Sequence, residues 1–206
     1  MNEPSARHEL ILASRSGVRA KLLARAGVKV AIEPADIDEA AVRESLSLDG
    51  GQTPPDDVAA ILSEAKAQTV AARHPRAYVI GADQVLAFQG EIFAKPETYR
   101  EAYAHLRRLR GKTHSLHASV VCVRDDETLW RHVGTAHLTM RDFSDAFIER
   151  YLERVGEQAF ASVGAYQLEG LGAQLFEEID GDYFTILGLP LLPLLAFLRA
   201  QGVLVS

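Results

Sequence analysis

The sequence predicts a mixed α/β fold, and three observations carry that reading. Between residues 10 and 111, short apolar runs alternate with segments of helical periodicity, as strand–helix units require. Residues 113–140 alternate in the strand sense around Asp125-Asp126, the signature of a long β-hairpin. Strand–helix units and a hairpin in one chain call for a mixed sheet rather than an all-parallel one.

Each element follows in order. Leu10-Ile11-Leu12-Ala13 is a strand that stops at Ser14-Arg15-Ser16-Gly17. Val18, Leu22, Leu23 and Ala26 then recur at helical spacing up to a Gly27 cap. Val28 to Ile32 reads as a second strand, and Pro34 to Glu39 as an acidic turn entering a short helix. Asp49 to Asp56 is a loop, with Thr53 and Pro54 starting a helix that carries Val58, Ile61, Leu62 and Ala65 toward His74. Ala77 to Ala87 is a strand expected to break near Gly81 and Asp83, and Gln89-Gly90 is a hairpin turn before Lys95-Pro96. Tyr99, Ala102, Leu106 and Leu109 mark a helix closing at Gly111. After the long hairpin, Phe143 to Val155 is helical, Tyr183 to Leu187 is a late strand, and Leu191 to Ala200 is a closing helix.

A chain of 206 residues suits one large domain, or two lobes around one cleft, and all of residues 1–206 are assigned to that single domain. Composition is that of an ordinary globule, with 48% hydrophobic and 24% charged residues. The balance of 22 Lys and Arg against 28 Asp and Glu gives a net charge of −6, which argues against a nucleic-acid polymer as partner. It leaves room for a phosphate ligand, because a few local cations or a divalent metal reverse the field in one cleft. The one cysteine, Cys122, excludes an internal disulfide framework and a Cys-rich zinc site. Neither a long apolar core at the N-terminus nor a membrane-length apolar run is present, so no membrane association and a cytoplasmic location are expected.

Several signatures are missing. There is no G-x-x-x-x-G-K-[ST], no H-E-x-x-H and no G-x-S-x-G, and Gly170-Leu171-Gly172 lacks the third glycine of a dinucleotide fingerprint. His114 and His117 fall in a strand at odd spacing, which puts them on opposite faces. What remains is a set of polar clusters at the ends of apolar elements. Ser14, Ser16 and Arg19 stand where a strand enters a helix, a turn that offers N–H groups, hydroxyls and a cation to an anion, or else a plain N-cap. Asp83 is a turn former or a base beside a ligand. Asp36, Asp38 and Glu39 have the oxygen-ligand character of a magnesium or manganese site, and equally that of a solvated turn. Lys66 and Lys95, taken singly, say little.

The clusters have an order. Leu12-Ala13-Ser14-x-Ser16-x-x-Arg19-x-x-Leu22-Leu23, Asp38-Glu39, Lys66-Ala67, Gly81-Ala82-Asp83-Gln84-Val85, Lys95-Pro96, Leu109 to His114, Gly164-Ala165-Tyr166-Gln167-Leu168-Glu169-Gly170 and Gly188-Leu189-Pro190-Leu191 resemble the Maf family of nucleoside triphosphate pyrophosphatases. The likeness spans about Leu10 to Leu198, and its specificity lies in the ordered set. It implies an elongated, two-lobed Maf/ITPase-like α/β fold with a twisted mixed β-sheet and a central cleft, often as a homodimer. It also implies cleavage of a nucleoside triphosphate to the monophosphate and pyrophosphate with a divalent cation, Mg, Mn or Co.

Carried over by position, the resemblance makes Asp83 the proton acceptor that activates water. Glu39 becomes a catalytic or metal-binding carboxylate, and Ser14, Ser16, Arg19, Lys66 and Lys95 the residues that hold the triphosphate. Gln84 and Glu169 resemble the members that act on 7-methyl-GTP. Members that prefer dTTP and UTP have a Thr and a Gln at those positions. Val18 stands where the first group has Trp and the second Arg. A Glu can accept both donors of a guanine edge, and its charge suits a methylated, cationic base. A dTTP/UTP pyrophosphatase, a pyrophosphatase of deaminated purines and a nucleotide-binding regulator of septum formation are the alternative readings of the same residues.

Overall fold

The computed structural model describes residues 9–48 and 53–205. Seven strands form one mixed sheet: β1 (Leu10–Ala13), β2 (Ala31–Ile32), β3 (Tyr78–Phe88), β4 (Glu91–Phe93), β5 (Thr113–Arg124), β6 (Glu127–Met140) and β7 (Phe176–Asp180). Their order is β2-β1-β3-β5-β6-β7, with β4 also on β3. β2, β1 and β3 run parallel, and every other pairing is antiparallel. The α-helices among the described residues are α1 (Gly17–Arg25), α2 (Glu39–Leu48), α3 (Pro55–Ala71), α4 (Tyr99–Leu109), α5 (Asp145–Val155), α6 (Tyr183–Ile186) and α7 (Leu191–Ala200).

β3 is the spine. Its even-numbered side chains enter two different cores on one face of the sheet: Tyr78, Ile80 and Ala82 join Leu12, Leu23, Leu194 and Leu198, whereas Leu86 and Phe88 join Leu106, Leu138, Ile148 and Tyr166. On the other face, Val79 packs with Ala67 and Val70 of α3, and Val85 with Val58 and Leu62. Asp83 and Gln84 stand where the two cores part. Because strand side chains alternate, they point to opposite faces.

The expected break in this strand does not occur. β3 runs unbroken through Gly81 and Asp83, and the glycine serves close packing instead. A Cβ at Gly81 would overlap the Ser63 carbonyl oxygen of α3 and crowd Ala67. The backbones of α3 and β3 therefore meet at a distance no side chain permits. Both hairpin turns form as expected, with Gln89-Gly90 and Asp125-Asp126 all at positive φ, the type I′ pattern.

Other boundaries shift. The strand expected over Val28 to Ile32 is confined to Ala31–Ile32. α3 begins at Pro55, one residue later than expected, and Thr53 gives it no cap: its Oγ1 donates to the Leu46 carbonyl at 2.9 Å. The rest of the expected loop, residues 49–52, lies outside the described residues. Tyr183 to Leu187 is not a strand. Asp182 caps a single helical turn there, accepting from the Thr185 amide at 2.8 Å and its hydroxyl at 3.0 Å, and this local bond outweighs the strand preference of Tyr, Phe, Thr and Ile. The acidic strand β7 is an edge strand with four of its five residues exposed, which hides it from a search for apolar alternation.

Candidate active site

The sheet edge opens at one place. β1 pairs with β3 up to Ala13 opposite Gly81, and β4 takes over from Leu86 opposite Phe93. Between them, Ala82 to Val85 have no strand partner on that edge among the described residues, while β5 covers the other edge throughout. Clefts in α/β sheets form where neighbouring strands part in this way. The segments leaving β1 and β4 bring Ser14 to Arg19 and Lys95 to the opening.

The first segment is tied inward. Ser14 Oγ accepts from the Ser16 amide at 3.2 Å and from Arg19 Nη1 at 3.1 Å, and Ser16 caps α1 by accepting from the Arg19 amide at 3.4 Å. Arg19 is 9% exposed and donates to the carbonyls of Gly188 at 2.7 Å and Ala82 at 2.8 Å. Gly188 has φ +87°, and its missing side chain leaves room for the guanidinium beside it. Burial lowers the Arg19 pKa, against the pull of Asp83 and Glu39, and a guanidinium remains charged under such a shift.

On the opposite face of β3 lies a cluster of fixed charges. Lys66 Nζ donates to Asp83 Oδ1 at 2.6 Å and sits 2.8 Å from Glu39 Oε1, so one ammonium bridges two carboxylates. Asp83 is 5% exposed, and its Oδ2 is buried without a hydrogen-bond partner. Arg43 Nη2 lies 3.7 Å from that oxygen and 4.0 Å from Glu39 Oε2. Partial burial acts to raise the Glu39 pKa, but the hydrogen bond and charge of Lys66, with Arg43 and Lys95 behind them, hold it below its ordinary value. Lys95 is exposed as a residue, yet its ammonium is crowded: desolvation and then the charge of Arg19 lower its pKa, against Glu39 and Asp83.

Helix α2 carries Glu39 and Arg43 because Val42 and Leu46 anchor it to Leu62 and Val85, which turns the adjacent i, i+4 pair toward Asp83. Sequence reasoning passed over Arg43, although its spacing from Glu39 was the available signal. The acidic turn resolves into separate roles. Asp38 Oδ1 accepts from the Ala41 amide at 3.0 Å at the start of α2, and among the described residues no group of three His, Cys, Asp or Glu side chains gathers to hold a metal. Asp36, Asp38 and Glu39 therefore do not gather as one metal cluster, and Lys66, which says little taken singly, is held between two carboxylates. Glu39 and Asp83 remain as a carboxylate pair with one orphaned buried oxygen. That donor set fits a divalent ion of the kind held by one or two carboxylates plus substrate phosphates.

The specificity candidates are scattered. Gln84 faces away from Asp83, and its amide nitrogen donates to the carbonyls of Thr185 and Ile186 at 3.0 Å each, which locks α6 in place. Val18 is half-buried in the first turn of α1. Glu169 stands exposed in the turn after Leu168, and among the described residues no hydrogen bond or ion pair joins it to the Asp83 cluster. His114 and His117 do face opposite ways. His114 is buried against the Tyr166 hydroxyl at 2.7 Å, and His117 bonds Ser115 at 2.9 Å and Thr135 at 3.3 Å.

The family model described as Maf-like protein matches residues 9–201. The chain belongs to the Maf family. It is 55% identical to the 7-methyl-GTP pyrophosphatase of Brucella abortus, over 94% of this chain and 96% of that relative. It is 53% identical to the protein of the same name from Rhizobium etli, with the same coverage. The nucleoside triphosphate pyrophosphatase of Nitrobacter hamburgensis is 52% identical over 95% of each chain. The seven-stranded mixed sheet agrees with the fold that the family resemblance implies. Among the described residues, no helix is long and apolar enough to cross a membrane.

Proposed function

We propose that this protein is a nucleoside triphosphate pyrophosphatase that releases the monophosphate and pyrophosphate, with 7-methyl-GTP as its preferred substrate. The observation that carries the proposal is the buried Asp83 carboxylate, with Lys66 bonded to one oxygen and the other oxygen lacking any hydrogen bond, at the open edge of β3. The names of the Brucella, Rhizobium and Nitrobacter relatives support the reaction class, and the first two support the base.

In this reading Asp83 Oδ2 accepts the proton of a water as that water's oxygen bonds to phosphorus. The phosphoanhydride bond between the α and β phosphates breaks, and pyrophosphate carries away the negative charge. Lys66 orients the carboxylate by holding Oδ1. Arg19 and Lys95, with the hydroxyls of Ser14 and Ser16, bind the phosphate chain and stabilise the charge that moves onto the leaving group. Glu39, together with oxygens of the substrate phosphates, would hold a divalent ion, which, when bound, supplies further neutralisation of the phosphate charge. Glu169 is the proposed partner of the base, because a carboxylate accepts the two donors of a guanine edge.

The test is a panel of 7-methyl-GTP, GTP, ITP, dTTP and UTP with magnesium, manganese or cobalt, assayed for monophosphate and pyrophosphate. Stoichiometric release of both from 7-methyl-GTP ahead of the others is the expected result. Release of inorganic phosphate without pyrophosphate, or no turnover of any nucleotide, would overturn the reading.

A further inference from the structure

We propose that Arg43 is a phosphate-chain binding residue, whose guanidinium exchanges its approach to the Asp83 carboxylate for the triphosphate when substrate enters. The inference rests on the pyrophosphatase reading and adds to that site a cation from α2.

Two of the contacts that Arg43 makes differ in kind. Its 4.0 Å approach to Glu39 is the ordinary pairing of residues four apart on one helix. Its 3.7 Å approach to Asp83 joins two separate elements and brings a guanidinium to the one buried carboxylate oxygen among the described residues that lacks a hydrogen bond. That distance is within ion-pair range but too long for a hydrogen bond. A guanidinium best serves an oxyanion with two parallel N–H donors, a geometry that neither carboxylate contact provides. A phosphate chain offers oxygens in that arrangement.

The surroundings favour the exchange. Lys66 is fixed between two carboxylates, and Arg19 between Ser14 and two backbone carbonyls, so both are positioned before any ligand arrives. The Arg43 side chain is 29% exposed against 10% for Lys66, which makes it the more accessible of these two cations to an entering ligand. A polyanion approaching Asp83 and Glu39 also meets two negative charges; Lys66 bridges them, Lys95 and Arg19 act on them from farther off, and Arg43 adds a cation from α2 beside both. The same guanidinium stands where a water must reach Asp83 Oδ2. Drawing Arg43 onto phosphate therefore opens the base only when substrate is present.

The experiment compares wild type, Arg43→Ala and Arg43→Lys by calorimetric binding of inorganic pyrophosphate and of the nucleoside monophosphate product, together with steady-state kinetics. Pyrophosphate affinity is expected to fall at least about tenfold in Arg43→Ala and to recover in part in Arg43→Lys. Monophosphate affinity should change by less than about threefold, and KM for the triphosphate should rise along with the pyrophosphate constant. A purely structural role would lower kcat through a misplaced Asp83 and leave pyrophosphate affinity intact; that outcome overturns the inference. A wild-type protein that hydrolyses triphosphates and binds pyrophosphate no better than Arg43→Ala overturns it alone. A wild-type protein with neither property overturns the pyrophosphatase reading as well.

Discussion

Lys66 and Asp83 meet at 2.6 Å across the contact between α3 and β3, and Gly81 is what lets those two elements come that close. The lysine lies one turn beyond Ser63, whose carbonyl fills the space a side chain at Gly81 would need. Gly81→Ala is expected to push α3 outward, to destabilise the fold by about 1–3 kcal/mol and to lower kcat by stretching the bond on which the Asp83 orientation depends. Urea denaturation and turnover, measured on the same preparation, check both effects. An unchanged kcat would separate the helix spacing from catalysis.

Asp83→Asn keeps the shape of the side chain and removes its ability to take a proton. Turnover is expected to drop at least about a hundredfold, with a much smaller change in KM. Near wild-type turnover would take Asp83 out of the mechanism.

Treatment with a chelator is expected to silence hydrolysis, and added magnesium, manganese or cobalt to restore it. Glu39→Gln should raise the metal concentration needed for half-maximal activity, since one of only two carboxylates in the cluster is lost. Full activity in chelator would remove the metal from the scheme.

His114 gives the fold a dependence on acidity that has nothing to do with turnover. Desolvation lowers its pKa to about 4, below the 6.5 of a solvated imidazole, so it is neutral in the folded protein. Between those values the unfolded chain binds the extra proton. Stability is therefore greatest above pH 6.5 and declines as pH falls toward 4, by an amount on the order of 3 kcal/mol. Urea midpoints at pH 7 and pH 5 measure the decline, and His114→Gln should flatten it. An equal slope in that variant would assign the effect elsewhere.

Base selection is expected to hinge on Glu169. Glu169→Gln should erode the preference for 7-methyl-GTP over dTTP and UTP by about 1–3 kcal/mol, the worth of one bidentate contact to a base. Ratios of kcat/KM for the three nucleotides decide it, and an unchanged ranking would leave the base to other residues.

How far the site was legible depended on whether its residues act within one element or across several. Ser14, Ser16 and Arg19 follow a strand and open a helix, so their turn announced itself locally. Lys66 did not: along α3 it is a lysine among ordinary helix residues, and only the passage of α3 over Gly81 buries it beside Asp83. Arg43 carried a signal in its spacing from Glu39, yet its contact with Asp83 depends on Val42 and Leu46 anchoring α2, a tertiary fact. The Asp182 cap defeated the strand reading of Tyr183 to Leu187 because a short-range hydrogen bond outranks residue preference. The exposure of nearly all of an edge strand concealed β7 for a different reason, since residues that face solvent on both sides look like a loop.

The gap along β3 has a consequence for how the chain behaves among other proteins. An unpaired stretch of strand edge is a template onto which foreign extended segments add themselves. Among the described residues Ala82 to Val85 form such a stretch, and the Ala82 carbonyl is already occupied by Arg19. Lys95 and the charged cluster beside it make the neighbourhood hostile to an incoming apolar strand. The groups assigned to phosphate thus also act as gatekeepers against self-association. Loss of Arg19 and Lys95 together would leave a protein that is inactive and also adhesive, prone to precipitate at concentrations where the native chain stays dispersed.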